Sequence, residues 1–286
     1  MQVTNRHIIE LYSNRLQRHT KILFAPIINQ YRLKYAETRF ELREAFRLVH
    51  DEYRRSGYIT NQKPDKMLLN IHHFLSDTSV LLMLFKDKVI STVTMVADTE
   101  KFGLPLDSVY QNELNKLRKN SRQLMEGCAL ATSVSFRGAN IVAYLFRQAY
   151  HHAVNFGATD ICIMVNPKHV QFYKRIFLFE DLGGEKIYPR LQAPAIALRI
   201  DVNQYANKLR CVYSDYPAES NLYSFICENK DLTPEAQKLM FDMEKNNGIG
   251  KRVTRYFFNA LPSDQKKELT EKSDHLKNSG LSVYDL

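Results

Sequence analysis

The chain has 286 residues, 44% of them apolar and 25% charged, with four cysteines and a formal net charge of +9. This composition fits a folded protein of one large domain, with or without an appendage, and argues against a disordered or disulfide-stapled chain. The longest clean apolar run, Val80 to Phe85, is far short of the ~20 residues that cross a bilayer, and the start of the chain lacks the pattern of a secretory signal, so a cytoplasmic protein is expected.

Residues 5–21 read as a short amphipathic helix among basic side chains, ended by Pro26; it suits either packing on its own domain or a membrane-surface arm, and nothing further indicates a membrane. Leu33 to Glu37 reads as a strand. Thr38-Arg39-Phe40-Glu41 is a capping box, and Leu42, Ala45, Phe46, Val49 and Tyr53 recur at helical spacing behind it until Gly57. The stretch 79–99 reads as a hairpin with Lys86-Asp87-Lys88 at its turn.

A helix follows from about Val109 to Lys119, then a strand from Arg122 to about Thr132. Gly138 to Phe156 is amphipathic, with Gly157 where a C-cap glycine belongs. A strand over 159–165 runs into Asn166-Pro167, a cap followed by the one residue that loses nothing at the first helical position, and Val170, Tyr173, Ile176 and Phe177 continue the helix. Two strands, near 179–188 and 194–202, complete the order β, α, hairpin, α, β, α, β, α, β, β. The expected division is a helical arm over 1–29, an α/β domain over 30–202, and a helical extension over 203–286, clearest at 233–247.

Charge is uneven along this plan. Residues 203–286 carry 12 basic and 12 acidic side chains, leaving 28 basic against 19 acidic in the first 202. A positive surface of this kind favours nucleic acid, an anionic membrane face or an acidic carrier protein. Two basic clusters stand out, from Arg6 to Lys34 and from Lys116 to Arg122, but neither is interleaved with stacking aromatics, and no helix-turn-helix, finger or RNP motif accompanies them. Nucleic acid is therefore not expected. Cys128, Cys162, Cys211 and Cys227 have no metal-ligand spacing and read as inert thiols.

The order of elements is that of the GNAT acyltransferase fold, a central mixed sheet flanked by helices. Five motifs narrow it: RLVHDEYRRSGY at 47–58, LPLDSVYQNELNKLR at 104–118, EGCALATSVSFRG at 126–138, NPKHVQFYKRIFLFEDLG at 166–183 and YPRLQAPAIALRIDV at 188–202. In this order they resemble the N-acyl amino acid synthases, a family related to the acyl-homoserine-lactone synthases. The resemblance implies transfer of a fatty acyl chain from acyl carrier protein to the amine of an amino acid. It implies no metal or redox cofactor, the acyl group arriving on the phosphopantetheine arm of the carrier or on coenzyme A.

Ordinary members of the fold hold the pyrophosphate of coenzyme A on a glycine-rich turn. Here that turn reads Ser135-Phe136-Arg137-Gly138-Ala139-Asn140, a degenerate cradle that suits a carrier-borne pantetheine and equally suits a plain loop. Arg137, Arg147, Lys168, Lys174 and Arg175 are candidates for a basic entrance.

Aminolysis of a thioester needs a base for the amine, donors for the oxyanion and an acid for the thiolate. Glu126, on a strand with Leu124, Cys128 and Leu130 expected on the same apolar face, is the candidate base; the alternative is a salt bridge to an arginine. By resemblance Tyr173 is the candidate acid, the alternative being an aromatic packing residue. His169 suits a proton relay or a surface position.

Backbone N–H groups near Ala129, Leu130 and Ala131 are the expected oxyanion donors, with Arg137, Gly138 and Asn166 completing the donor site. His50, Tyr58 and Arg39 are the acceptor candidates, with Tyr53 expected in the core and Arg43 or Arg137 as other cations for a carboxylate. Apolar residues of 67–85, with Phe102 and Leu104, are expected either to line an acyl tunnel or to pack the core. A lactone-forming synthase using S-adenosylmethionine, and a binding module without turnover, are the other readings.

Overall fold

The computed structural model describes residues 31–59, 66–137, 141–217, 220–228 and 257–278. The amphipathic arm, the 233–247 helix, most of the first basic cluster and Gly138 lie outside these residues. Seven strands form one sheet in the order β1-β2-β3-β4-β5-β7-β6. They are β1 (Tyr31–Tyr35), β2 (Thr78–Phe85), β3 (Lys88–Ala97), β4 (Leu124–Thr132), β5 (Asp160–Val165), β6 (Glu180–Tyr188) and β7 (Ala193–Asp201). Only β4 and β5 run parallel; the other neighbours are antiparallel.

The helices follow the sequence pattern closely. In α1 (Arg39–Arg55) the capping box forms as expected, with Thr38 Oγ1 accepting from the Glu41 N–H at 3.2 Å and Glu41 Oε2 from the Thr38 N–H at 3.0 Å. The next helices are α2 (Asp107–Lys119), α3 (Ile141–Phe156) and α4 (Pro167–Ile176). Asn166 caps α4 through its side-chain oxygen, 3.2 Å from the Lys168 N–H. The hairpin turn is two residues rather than three. Lys86 and Asp87 take φ of 47° and 63°, the left-handed pair whose twist matches antiparallel strands, and Lys88 already pairs with Phe85.

Alternation along the strands divides the apolar side chains between two faces. Leu81, Met83, Met95, Met125, Ile161 and Leu198 join the cluster under α3 and α4. Leu82 and Leu84 pack under α1 with Phe46 and Phe74, while Val96, Leu124 and Cys162 meet Tyr110 and Leu114 of α2. Tyr110 is fully buried and donates to the carbonyls of Gly184 and Ala195, at 2.8 and 2.7 Å, which ties α2 to the edge pair of strands.

Residues beyond 202 contribute to these same clusters. Helix α5 (Val202–Tyr213) brings Tyr205, Leu209 and Tyr213, and α6 (Leu222–Cys227) brings Leu222, Phe225 and Ile226, to the α3 side of the sheet. Phe257, Leu261 and Leu269 join the α1 side, the last from α7 (Ser263–Asn278).

Two irregularities position the site. Strand β4 pairs Cys128 with Thr94 and Ala131 with Thr92, so Ala129 and Leu130 together face the single residue Val93. This is a β-bulge, and Ala129 takes φ of 50° to make it. The extra residue reverses the alternation beyond it: Leu130 leaves the face of Leu124 and Cys128 and packs with the α3 cluster. Leu130 therefore does not share a face with Glu126 as the unbroken period suggested. The second irregularity is that β4 and β5 pair only as far as Gly127 and Ile163. Past that point β4 continues along β3 to Thr132 while β5 continues along β7 to Val165, leaving a wedge in the middle of the sheet.

Candidate active site

A cavity of about 530 Å³ occupies this wedge and reaches both faces of the sheet. On the α3 face its wall is apolar: Val142, Leu145, Phe146 and Ala149 of α3 over Val93 and Met95 of β3. On the other face it meets Glu126, Cys128, Tyr53, His73, Tyr188 and Arg190. Tyr173 and Asn166 stand on the α4 side.

Glu126 is 1% exposed, and its carboxylate is met by the backbone N–H of Leu106, which donates to Oε2 at 2.7 Å. Leu106 directly precedes α2. Burial holds the Glu126 carboxyl well above the usual carboxylate range; the Leu106 N–H works against this, and Asp107 and Asp98 reinforce it. Arg118 bridges those two aspartates, donating to Asp98 at 2.7 and 2.8 Å and to Asp107 at 2.7 and 2.6 Å, and offsets one of their two charges. Arg122 likewise binds Asp160 and Asp201. Two cations of the second basic cluster are thus spent inside the fold. The partner of Glu126 is a peptide N–H, and among the described residues no arginine pairs with it.

Tyr173 is packed edge-on against Phe172 and Phe179, with ring centres 5.2 and 5.6 Å away. Burial raises its phenol to about 12, so it keeps its proton through the neutral range. The Cys128 thiol is also pushed well above its ordinary value, first by burial and then by Glu126, which removes it as a nucleophile near neutral pH. His73 is held neutral, lowered to about 3 by burial.

The structure gathers most of the sequence candidates. Ala129, Leu130, Ala131, Arg137, Asn166, Tyr58 and His169 line the same cavity as Glu126 and Tyr173. The ladder skips Ala129 and Leu130 at the bulge. Asn166 is committed to structure, its Oδ1 capping α4 and its Nδ2 donating to the Pro194 carbonyl at 3.4 Å. Arg137 ties to Glu52 at 2.6 Å, and Lys168 lies over the Tyr58 ring at 5.5 Å.

Other expectations are corrected. His50 does not reach the cavity; it is buried beside Asp51 in a separate hollow with Arg54, Arg55 and Lys66. Arg39 and Arg43 do not line the cavity either, because only the last turn of α1 meets it. At ~1.5 Å per residue Arg39 lies roughly 20 Å up the helix from Glu52. Tyr53, expected in the core, lines the cavity and stacks edge-on to Tyr58 at 5.8 Å.

Of the proposed tunnel segment only Leu68, Leu69, Asn70 and His73 line the space. Leu81, Leu82 and Met83 are 0% exposed in the sheet, and Phe102 and Leu104 pack elsewhere. Of the proposed basic entrance, Arg147 is buried over the Phe225 ring and Lys174 is held by Asp181 at 2.6 Å. Arg175 is not part of the cavity wall.

The residues missed were Glu52, His73, Tyr188 and Arg190. Glu52, Tyr188 and Arg190 fall within two of the five motifs, at 47–58 and 188–202, so the signal was present but no local pattern gave them a role.

A family model described as N-acyl amino acid synthase FeeM matches residues 44–201, more than half of the chain. The chain belongs to the N-acyl amino acid synthase family. Membership makes it an acyltransferase. Among solved structures, FeeM, an N-acyl amino acid synthase from uncultured soil microbes, aligns at 24% identity with a TM-score of 0.55, covering 62% of this chain and 95% of FeeM.

A CoA-dependent acyl-homoserine lactone synthase, BjaI, aligns at 15% identity and a TM-score of 0.47, over 65% of this chain and 92% of that one. The acyl-homoserine lactone synthase LasI aligns at 14% and 0.48, over 60% and 89%. No curated protein matches. The FeeM likeness establishes the GNAT-like fold seen in the sheet order. No described helix of the chain is long and apolar enough to cross a membrane. Among the described residues no group of three His, Cys, Asp or Glu side chains is placed to hold a metal ion.

Proposed function

We propose that this synthase joins a fatty acyl group, delivered as a thioester of acyl carrier protein, to the amine of an amino acid in the cytoplasm. The observation that carries the reading is that Glu126 and Tyr173, from different strands and helices, line one cavity where β4 and β5 part. The pantetheine arm lies in the wedge, its acyl chain runs along the apolar wall of α3, and the amine approaches from the Glu126 face.

The acceptor ammonium first loses a proton to solvent. The amine nitrogen then attacks the thioester carbon, forming the C–N bond, and its second proton passes to the Glu126 carboxylate. The oxyanion is met by backbone N–H groups at the Ala129 bulge. As the C–S bond breaks, the sulfur takes the Tyr173 proton, and both side chains re-equilibrate with water. The products are an N-acyl amino acid and the free thiol of the carrier. Carrier protein rather than coenzyme A is favoured by the degenerate turn at Ser135 to Asn140, while the net charge of +9 suits either anionic donor.

The test is mass spectrometry of reactions of purified protein, with acyl carrier protein or coenzyme A thioesters and a panel of amino acids. Acyl amino acids formed by the wild type and not by Glu126→Gln are expected. No product from the wild type with either donor overturns the reading.

A further inference from the structure

The acceptor of such a reaction carries a second charged group, and one cation in the cavity is set to receive it. Of the basic side chains lining the space, Arg137 is held by the Glu52 carboxylate and Lys168 lies exposed over the Tyr58 ring at the start of α4. Arg190 differs from both. It stands in the turn between β6 and β7, half-buried, and donates through Nη2 to the Leu69 carbonyl at 2.5 Å. Among the described residues it has no carboxylate partner. Held by the neutral Leu69 carbonyl and hydrogen-bonded also to the Tyr188 phenol, the guanidinium keeps its charge and its remaining N–H donors for an anion.

Arg190 also shares the cavity with the base: Glu126, Cys128, Tyr188 and Arg190 all line it.

We propose that Arg190 is the carboxylate receptor of the acceptor site, restricting the synthase to free amino acids over amines, amino amides and peptide-linked carboxyls. The proposal rests on the acyl-transfer reading above. It also gives the Leu69 contact a purpose, since that bond fixes one edge of the guanidinium and orients the other.

The experiment compares N-decanoylglycine with N-decanoylglycinamide, binding each to the wild type, Arg190→Gln and Arg190→Lys by calorimetry. The two ligands share the acyl chain and differ only in the anion. The wild type is expected to prefer the acid by roughly tenfold or more, the ordinary worth of a charged hydrogen bond. Arg190→Gln should bind both equally and Arg190→Lys should keep part of the preference. An acid preference unchanged in Arg190→Gln overturns the proposal, as does a wild type that does not distinguish the ligands. A purely structural latch on Leu69 would weaken both ligands alike and leave their ratio intact, which also overturns it. Failure of the underlying reading shows separately, as absence of wild-type product with any amino acid in the transfer assay.

Discussion

The Leu106 N–H donates to Glu126 Oε2 at 2.7 Å, so the residue just ahead of α2 holds a carboxyl buried where the sheet parts. The bond fixes one oxygen and leaves the other for the cavity. It does not overcome burial, which keeps the carboxyl raised well above its ordinary range.

A measurable trade between stability and activity follows. For a carboxyl raised on folding, the folded chain holds a proton that the unfolded chain has released, between the unfolded value and the raised one. Stability therefore falls as pH rises through that window. Glu126→Gln keeps an acceptor for the Leu106 N–H and removes the buried charge. It should stabilise the protein at pH 8 by roughly 1–3 kcal/mol, a few degrees in Tm, with less effect at pH 5. Wild-type kcat/KM should rise with pH as Glu126 ionises. Thermal melts across pH test both, and equal melting at all pH values would remove the buried charge as the cause.

Tyr173→Phe keeps the ring contacts to Phe172 and Phe179 and deletes only the acid. Turnover of an alkyl thioester should fall roughly 10²-fold. With an aryl thioester, whose thiolate leaves without a proton, the loss should shrink. Equal losses on both donors would return Tyr173 to a packing role.

Ala149 lies on the α3 wall of the cavity. Ala149→Phe should shorten the space, lowering kcat/KM for a hexadecanoyl donor roughly tenfold or more and sparing an octanoyl donor, since each lost methylene contact is worth ~0.8 kcal/mol. A chain-length profile that moves uniformly would place the acyl group elsewhere.

Arg118 binds both Asp98 and Asp107, the two carboxylates that bear on Glu126. Arg118→Met leaves them facing each other without a cation. A loss of about 2 kcal/mol in stability is expected, because the guanidinium is partly solvated and not fully buried. The pH profile of kcat/KM should also move to higher pH. Urea melts and a pH series check the two effects, and an unmoved profile would show that the aspartates do not reach the base.

The sequence by itself determined the elements and their order. A capping box before Arg39, Asn166-Pro167 before α4 and a glycine at 157 with φ of 83° are local signals, because a cap or a left-handed residue acts within a few peptide units. It also pointed to Glu126 and Tyr173, through motifs that resemble a family. The tertiary structure alone decided which of these residues meet. The bulge at Ala129 turns Leu130 to the other face, the parting of β4 from β5 opens the cavity, and the β6–β7 turn brings Arg190 to it. Pairing register and the end of a ladder depend on strands distant in the chain, so no window of sequence contains them. For the same reason His50 and Arg39 looked eligible: their helix was legible, but that only its last turn touches the cavity depends on where the sheet lies beneath it.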